Sequence, residues 1–227
     1  YCPDTRRLIK ATEREIKEGI KNASTEVTIG EGRDAVKVVP RGIGDSRRPL
    51  IESGGYAVPC SEEIYLKAMQ SYAQEQFVHV ILPSTLPYVG GHQVEAHSPY
   101  EIAAAKLEAK LTRMACALAG RPGMGFEIPM SAVTSEARIA AEGGGLRPSD
   151  LHQVSIVGEL KITLDSITTF AHWLQEGCLL FPEAMPQFGG YLGGSVEKMA
   201  VLDVAAHLAS VTFLSASMHD DGPVHVR

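Results

Sequence analysis

At 227 residues and 44% hydrophobic content, the chain is long enough for one large domain or two small ones with an ordinary globular core. A net charge of -6 leaves no broad basic surface to neutralise phosphates, which argues against a nucleic-acid binder. No apolar run approaches the ~18 residues of a membrane span, and the opening YCPDTRRLIK lacks the pattern of a signal peptide. The expectation is a cytoplasmic protein with neither nucleic acid nor membrane as a partner.

The first element in chain order is a helix over residues 12–22. Thr12-Glu13-Arg14-Glu15 is a capping box, with a hydroxyl and a carboxylate three apart. A Gly-punctuated stretch over 29–55 follows, and alternation in 35–39 predicts a hairpin or short strand pair. Residues 61–76 read as a helix with Ser61 as its N-cap. From there strands and helices alternate. FVHVIL at 77–82 reads as a short strand, followed by a Pro/Gly loop to His97. Ser98-Pro99-Tyr100-Glu101 places a cap, a proline at the first helical position and a carboxylate at the third. Ile102, Leu107, Leu111, Met114 and Leu118 recur at helical spacing until Gly120 and Pro122 end the helix. A second strand is expected at 124–128, then a long loop and a helix near 160–175. A third strand at 178–181, a helix at 196–209 and a fourth strand at 211–215 complete the pattern. Short apolar strands between amphipathic helices imply parallel βαβ units. An open doubly wound sheet and a (β/α)8 barrel both fit.

Four cysteines (Cys2, Cys60, Cys116 and Cys178) lie far apart, with no spacing that signals zinc or a disulfide framework. Cys116 reads as core, as does His79 within its apolar strand. The loops after the strands would gather at one face. They offer Tyr88, His92, Glu95 and His97, then Ser131, Thr134, Ser135, Glu136 and Arg138, then Phe188, Tyr191 and Glu197, and last His219, Asp220, Asp221 and His225. His92 and His97 would need a third partner to hold a metal, and HDD is a weak ligand signal against plain surface polarity. QFGGYLGGSVE has three readings. Its four glycines before a helix start suit a phosphate cradle or a tight strand-to-helix turn. In the third reading Glu197 is an anionic pocket residue flanked by Tyr191 and Phe188, a set that suits an ammonium ligand. No GxSxG nucleophile motif is present.

Several longer stretches, in order, carry a resemblance: YCPDTRR at 1–7, GRDAV at 32–36, SPYEIAAAKLEAKL at 98–111, ACALAGRPGMG at 115–125, ELKITLD at 159–165, MPQFGGYLGG at 185–194 and SMHDDGPVH at 217–225. The chain resembles the corrinoid-dependent monomethylamine methyltransferases of methanogenic archaea along almost its whole length. The resemblance implies a (β/α)8 barrel, of which this chain covers about the first half. Residues 1–60 would form an N-terminal helix and Gly-rich hairpin segment, and 61–227 the first part of the barrel. It further implies methyl transfer from a methylated amine to the Co(I) corrinoid (cobalamin) of a partner protein, with no cofactor or metal bound by this chain. Family members use pyrrolysine, whose imine is attacked by the amine. The matching position is read here as Ala137, which cannot form an adduct, so a quaternary amine becomes the expected methyl donor. Glu197 takes the family's pocket-acid role, with Tyr191 and Phe188 lining the site. The alternative is a non-catalytic homologue or fragment that docks a corrinoid protein. A half-barrel has open strand edges, so a homo-oligomer is a further expectation.

Overall fold

The computed structural model describes residues 1–39, 41–42, 44–157, 160–185 and 195–213. Helix α1 (Glu13–Asn22) begins as its capping box dictates. The Thr12 N–H donates to the Glu15 carboxylate at 2.7 Å, and the Glu15 N–H donates back to the Thr12 hydroxyl at 3.3 Å. Strands β1 (Val27–Ile29) and β2 (Val36–Val38) form the expected antiparallel pair, joined through a short turn at Gly32–Asp34.

The parallel strands come next. In chain order they are β3 (Glu52–Gly54), helix α2 (Glu62–Gln74) and β4 (Val80–Leu82). The loop after β4 carries a small hairpin, β5 (Tyr88–Val89) and β6 (His92–Gln93), and leads to helix α3 (Pro99–Leu118). Then follow β7 (Gly125–Phe126), α4 (Ser135–Ala140), β8 (His152–Val157), α5 (Leu164–Gln175), β9 (Leu180–Met185) and α6 (Val196–Phe213). Strands β3, β4 and β7 pair in parallel in that order, and β8 pairs with β9 in parallel. A parallel bridge from Glu127 to Leu151 links the two sets. Each of these strands therefore neighbours the next one in sequence. The reversal of strand order that defines a doubly wound sheet does not occur among the described residues. Within residues 1–60, β3 pairs with β4.

Several elements depart from the sequence expectation. The long loop after residue 128 holds both α4 and the six-residue β8. HQVSIV is not a continuous apolar run; it alternates, with Gln153 and Ser155 turned to one side and Val154 and Ile156 to the other. The strand expected at 211–215 is absent from its described part, since Val211, Thr212 and Phe213 are the last turn of α6. The β-branched run stays helical because the Ser210 and Thr212 hydroxyls donate to the Ala206 and Leu208 carbonyls one turn back, at 2.9 and 2.6 Å. In α3, Leu107 and Leu111 pack partly against the main core, but the other large apolar residues do not form the buried face. Ile102, Met114 and Leu118 are exposed, while Glu101, Ala104, Ala105, Glu108, Ala109, Thr112, Ala115 and Cys116 are buried. The small side chains admit close neighbours. A Cβ on Gly144 would lie 2.3 Å from the Lys106 carbonyl oxygen, so the turn at Ala141–Gly144 rests directly on the helix.

The main core lies between strands and helices, around Tyr65, Met69, Ile81, Phe126 and Trp173. Arg113 reaches across it to Asp150 at 2.5 Å and stacks over the Phe126 ring. Asp150 also accepts the Arg147 N–H at 2.6 Å and the Phe126 N–H at 3.3 Å, so the charge pair is fully hydrogen-bonded. A second, smaller cluster of Ile29, Val80, Leu151 and Phe181 lies on the opposite face of the strands.

Candidate functional site

The two clusters fix which way each strand residue points, because successive side chains alternate. On β4, Val80 joins the small cluster and Ile81 the main core. On β8, Val154 and Ile156 belong to the main core, so Gln153 and Ser155 face the other way. Phe181 pairs with Gln153, and Glu183 pairs with Ser155. Glu127 shares the side of its bridge partner Leu151. Glu52 pairs with Val80 and lies on the same face. This inner face is therefore layered. The apolar cluster is followed, toward the carboxyl ends of β7, β8 and β9, by Glu127, Gln153, Ser155 and Glu183.

Glu183 organises the polar layer. One of its carboxylate oxygens accepts from the Gln153 amide at 2.6 Å and from the Ser155 hydroxyl at 2.9 Å. Glu127 and Glu183 are 1% and 4% exposed, and carboxylates are rarely buried without a demand for them. The Gln153 amide and the Ser155 hydroxyl fix the Glu183 carboxyl in one orientation on this face.

The sequence-expected residues occupy other places. Glu197 is exposed in the first turn of α6, where the Ser195 hydroxyl and the backbone amide hold its carboxyl below the usual range. Tyr191 and Phe188 lie outside the described residues, as do His219, Asp220, Asp221 and His225. Ala137 is fully buried in α4 and belongs to the main core, on the helix side of the strands. Its N–H donates to the Thr134 hydroxyl at 3.3 Å, a capping bond that starts the helix. Thr134 and Ser135 are thus structural, the second donating to Asp165 at 2.9 Å from its backbone. His92 stacks on Tyr100 at 4.4 Å, and Tyr88 is exposed. Cys116 is buried, and burial pushes its thiol up to about 11. His79 accepts the Ile51 N–H at 2.9 Å, as a satisfied histidine should. Among the described residues no cluster of His, Cys, Asp and Glu could hold a metal ion, and no helix is long and apolar enough to cross a membrane.

The inner polar layer was passed over in the sequence, though it left a trace. Glu127 in GFEIP and Glu183 in LFPEAM are lone carboxylates inside apolar runs, and Gln153 and Ser155 are the polar beats of an alternating strand.

Comparison with known proteins places this geometry among relatives. Residues 1–227 match the family model "Monomethylamine methyltransferase MtmB". The chain is 44% identical to monomethylamine methyltransferase MtmB1 of Methanosarcina acetivorans, covering 100% of this chain and 50% of that protein. It is 43% identical to monomethylamine methyltransferase MtmB of Methanosarcina mazei with the same coverage. The structure superposes on the crystal structure of the Methanosarcina barkeri monomethylamine methyltransferase with a TM-score of 0.91 at 41% identity, over 98% of this chain and 49% of that one. A crystal structure of a hydroxylamine MtmB complex aligns with a TM-score of 0.92 at 42% identity, over 100% and 50%. The chain thus spans about half the length of the relatives it matches.

Proposed function

Because the chain belongs to the monomethylamine methyltransferase MtmB family, we propose that it forms the first part of a (β/α)8 barrel whose inner polar layer binds a methylated ammonium ion and presents its methyl group to a corrinoid on a partner protein. Consecutive parallel strands in sequential order support the barrel, since that is how one winds. The polar layer lies at the carboxyl ends of the strands, the end where barrels carry their chemistry.

The observation that carries the reading is the buried Glu183, held by Gln153 and Ser155 on the same inner face as Glu127. Two carboxylates in a water-poor site attract an ammonium ion far more strongly than they would in water. Fixed donors on Glu183 hold its charge in place before the ligand arrives, so little reorganisation is needed on binding. Donor binding is assigned to Glu183 and Glu127 in preference to Glu197, which is exposed, and Ala137, which faces the outer core. Among its described residues the inner layer offers carboxylates, an amide and a hydroxyl, none of them an electrophile. That favours a donor already positively charged, a quaternary amine, over one that must be activated through an adduct. A reduced corrinoid on the partner would supply the electron pair for the methyl group; the C–N bonding pair would stay on nitrogen, and the amine would leave neutral.

A structural neighbour solved as a hydroxylamine complex is consistent with a family site for a small nitrogen compound. The test uses the full-length protein. Tetramethylammonium and methylammonium are titrated calorimetrically, and methylation of chemically reduced cobalamin is followed by absorbance. The expected result is binding and methyl transfer from a quaternary amine, both weakened in Glu183→Gln. Transfer from monomethylamine alone, or a Glu183→Gln protein that binds and reacts normally, would overturn the reading.

A further inference from the structure

Helix α3 buries two glutamates seven residues apart, among the alanines of its buried face. Each takes backbone N–H groups from the same two loops. Glu108 accepts from Leu86, in the loop after β4, at 2.6 Å and from Ser131, in the loop after β7, at 3.2 Å. Glu101 accepts from His97, in the first of these loops, at 2.7 Å. It also accepts from the Val133 and Thr134 amides in the second loop, both at 2.8 Å, and from the Thr134 hydroxyl at 3.0 Å. Neither carboxylate has a cationic partner in these contacts. Both are satisfied by the loops, chiefly through backbone N–H groups, and such bonds to an ionised carboxylate are charge-assisted.

We propose that Glu101 and Glu108 are positioning residues: a two-rung carboxylate clamp on α3 that holds the β4–α3 and β7–α4 loops together at the mouth of the inner face. The second loop follows Glu127 directly, and Ser131 is four residues beyond it. Fixing Ser131, Val133 and Thr134 therefore fixes the exit of the strand that presents Glu127. A hydrophobic residue in either place would leave several buried N–H groups without acceptors. This accounts for carboxylates where packing alone asks for leucine.

The clamp has a built-in sensitivity. Burial pushes the Glu108 carboxyl up to about 7, opposed by the N–H bonds of Leu86 and Ser131. Protonation turns one carboxylate oxygen into a hydroxyl and removes the negative charge, so its bonds from N–H groups weaken. The groups facing Glu108 are the Tyr65 phenol on α2, the Cys60 thiol beyond it, the Ser131 hydroxyl and Thr112 on α3 itself. Burial raises the Tyr65 phenol and the Cys60 thiol, so both stay neutral near pH 7.

The test is residue-resolved amide hydrogen exchange on the full-length protein at pH 6 and 8, corrected for intrinsic rates, with the amides of β4 and β8 as internal controls. In the wild type, protection at Leu86 and Ser131 is expected to be lower at pH 6, with the strand amides unchanged. Glu108→Gln should remove that pH dependence and lower protection at both amides by roughly tenfold, the cost of about one net hydrogen bond. Glu101→Gln should do the same at His97, Val133 and Thr134, and it keeps the proposal testable if Glu108→Gln does not fold. Unchanged loop protection, or loss spread equally over the strand amides, overturns the clamp. The positioning role rests on the ammonium-binding reading, and tetramethylammonium titration separates the two. Looser loops with unaltered affinity overturn positioning. If the wild type binds no ammonium ion, that reading fails while the exchange data still decide the clamp.

Discussion

The outer and inner faces of the same strands carry opposite chemistry. Outward, Ile81, Phe126, Val154 and Ile156 pack against helices in a large apolar core, where tight burial sets stability. Inward, a thin apolar layer gives way to Glu127, Gln153, Ser155 and Glu183, where burial of charge opposes stability. The difference teaches where each side chain is answerable: the outer face to packing, the inner face to something it must hold. α3 adds a third case, since its buried glutamates are satisfied by loop backbone and need no ligand.

The comparison can be broken most forcefully from the outer face. Trp173 is fully buried, and its indole N–H donates to Glu142 at 3.0 Å. Trp173→Ala is expected to cost about 3–5 kcal/mol, read from a denaturant melt, with ammonium affinity of the folded fraction unchanged. An affinity loss as large as the stability loss would show that the two faces are not separable.

Next is His152, also on the outer face and edge-on to Trp173 at 4.7 Å between ring centroids. Burial lowers its pKa from 6.5 to about 4. A depressed histidine contributes stability that is present above pH 6.5 and is lost as pH falls toward 4. By linkage the loss is roughly 3 kcal/mol. His152→Phe should flatten this part of the acid limb when melting temperature is followed against pH. A variant with the wild-type slope would assign the acid limb to other groups.

On the inner face, Glu183→Gln keeps the side chain's shape and an acceptor oxygen for Gln153 and Ser155, so the fold is expected to stay intact. Tetramethylammonium affinity should drop by on the order of 1–4 kcal/mol, the range for one charge pair at intermediate dielectric. The smallest effect is expected at Glu197, which is exposed on α6. Glu197→Gln should leave both stability and binding near wild type. A binding loss there that exceeds the loss in Glu183→Gln would return the pocket-acid role to Glu197.

The parts that were legible in the sequence are those decided within a few residues. The Thr12 box, the Ser98-Pro99-Glu101 start and the Gly120 stop each rest on hydrogen bonds spanning one turn, and all three hold. Gly120 adopts φ 77°, and the Arg121 N–H closes on the Cys116 carbonyl at 2.9 Å. Family kinship was legible too, because ordered motifs survive along the whole length. The candidate site was not. Glu127 and Glu183 are 56 positions apart, and Gln153 reaches Glu183 across 30.

The sequence by itself determined where α1 and α3 begin and where α3 ends, that short strands alternate with helices, and which family the chain belongs to. Only the tertiary structure decided that the alanine and glutamate face of α3 turns inward, that Val211 to Phe213 remain helical, and that Ala137 points away from the inner face. Caps and turns are settled by local hydrogen bonds, which residue identity specifies directly. Burial is settled by which strand lies beside which, and a side chain's face follows from partners that the local sequence does not contain.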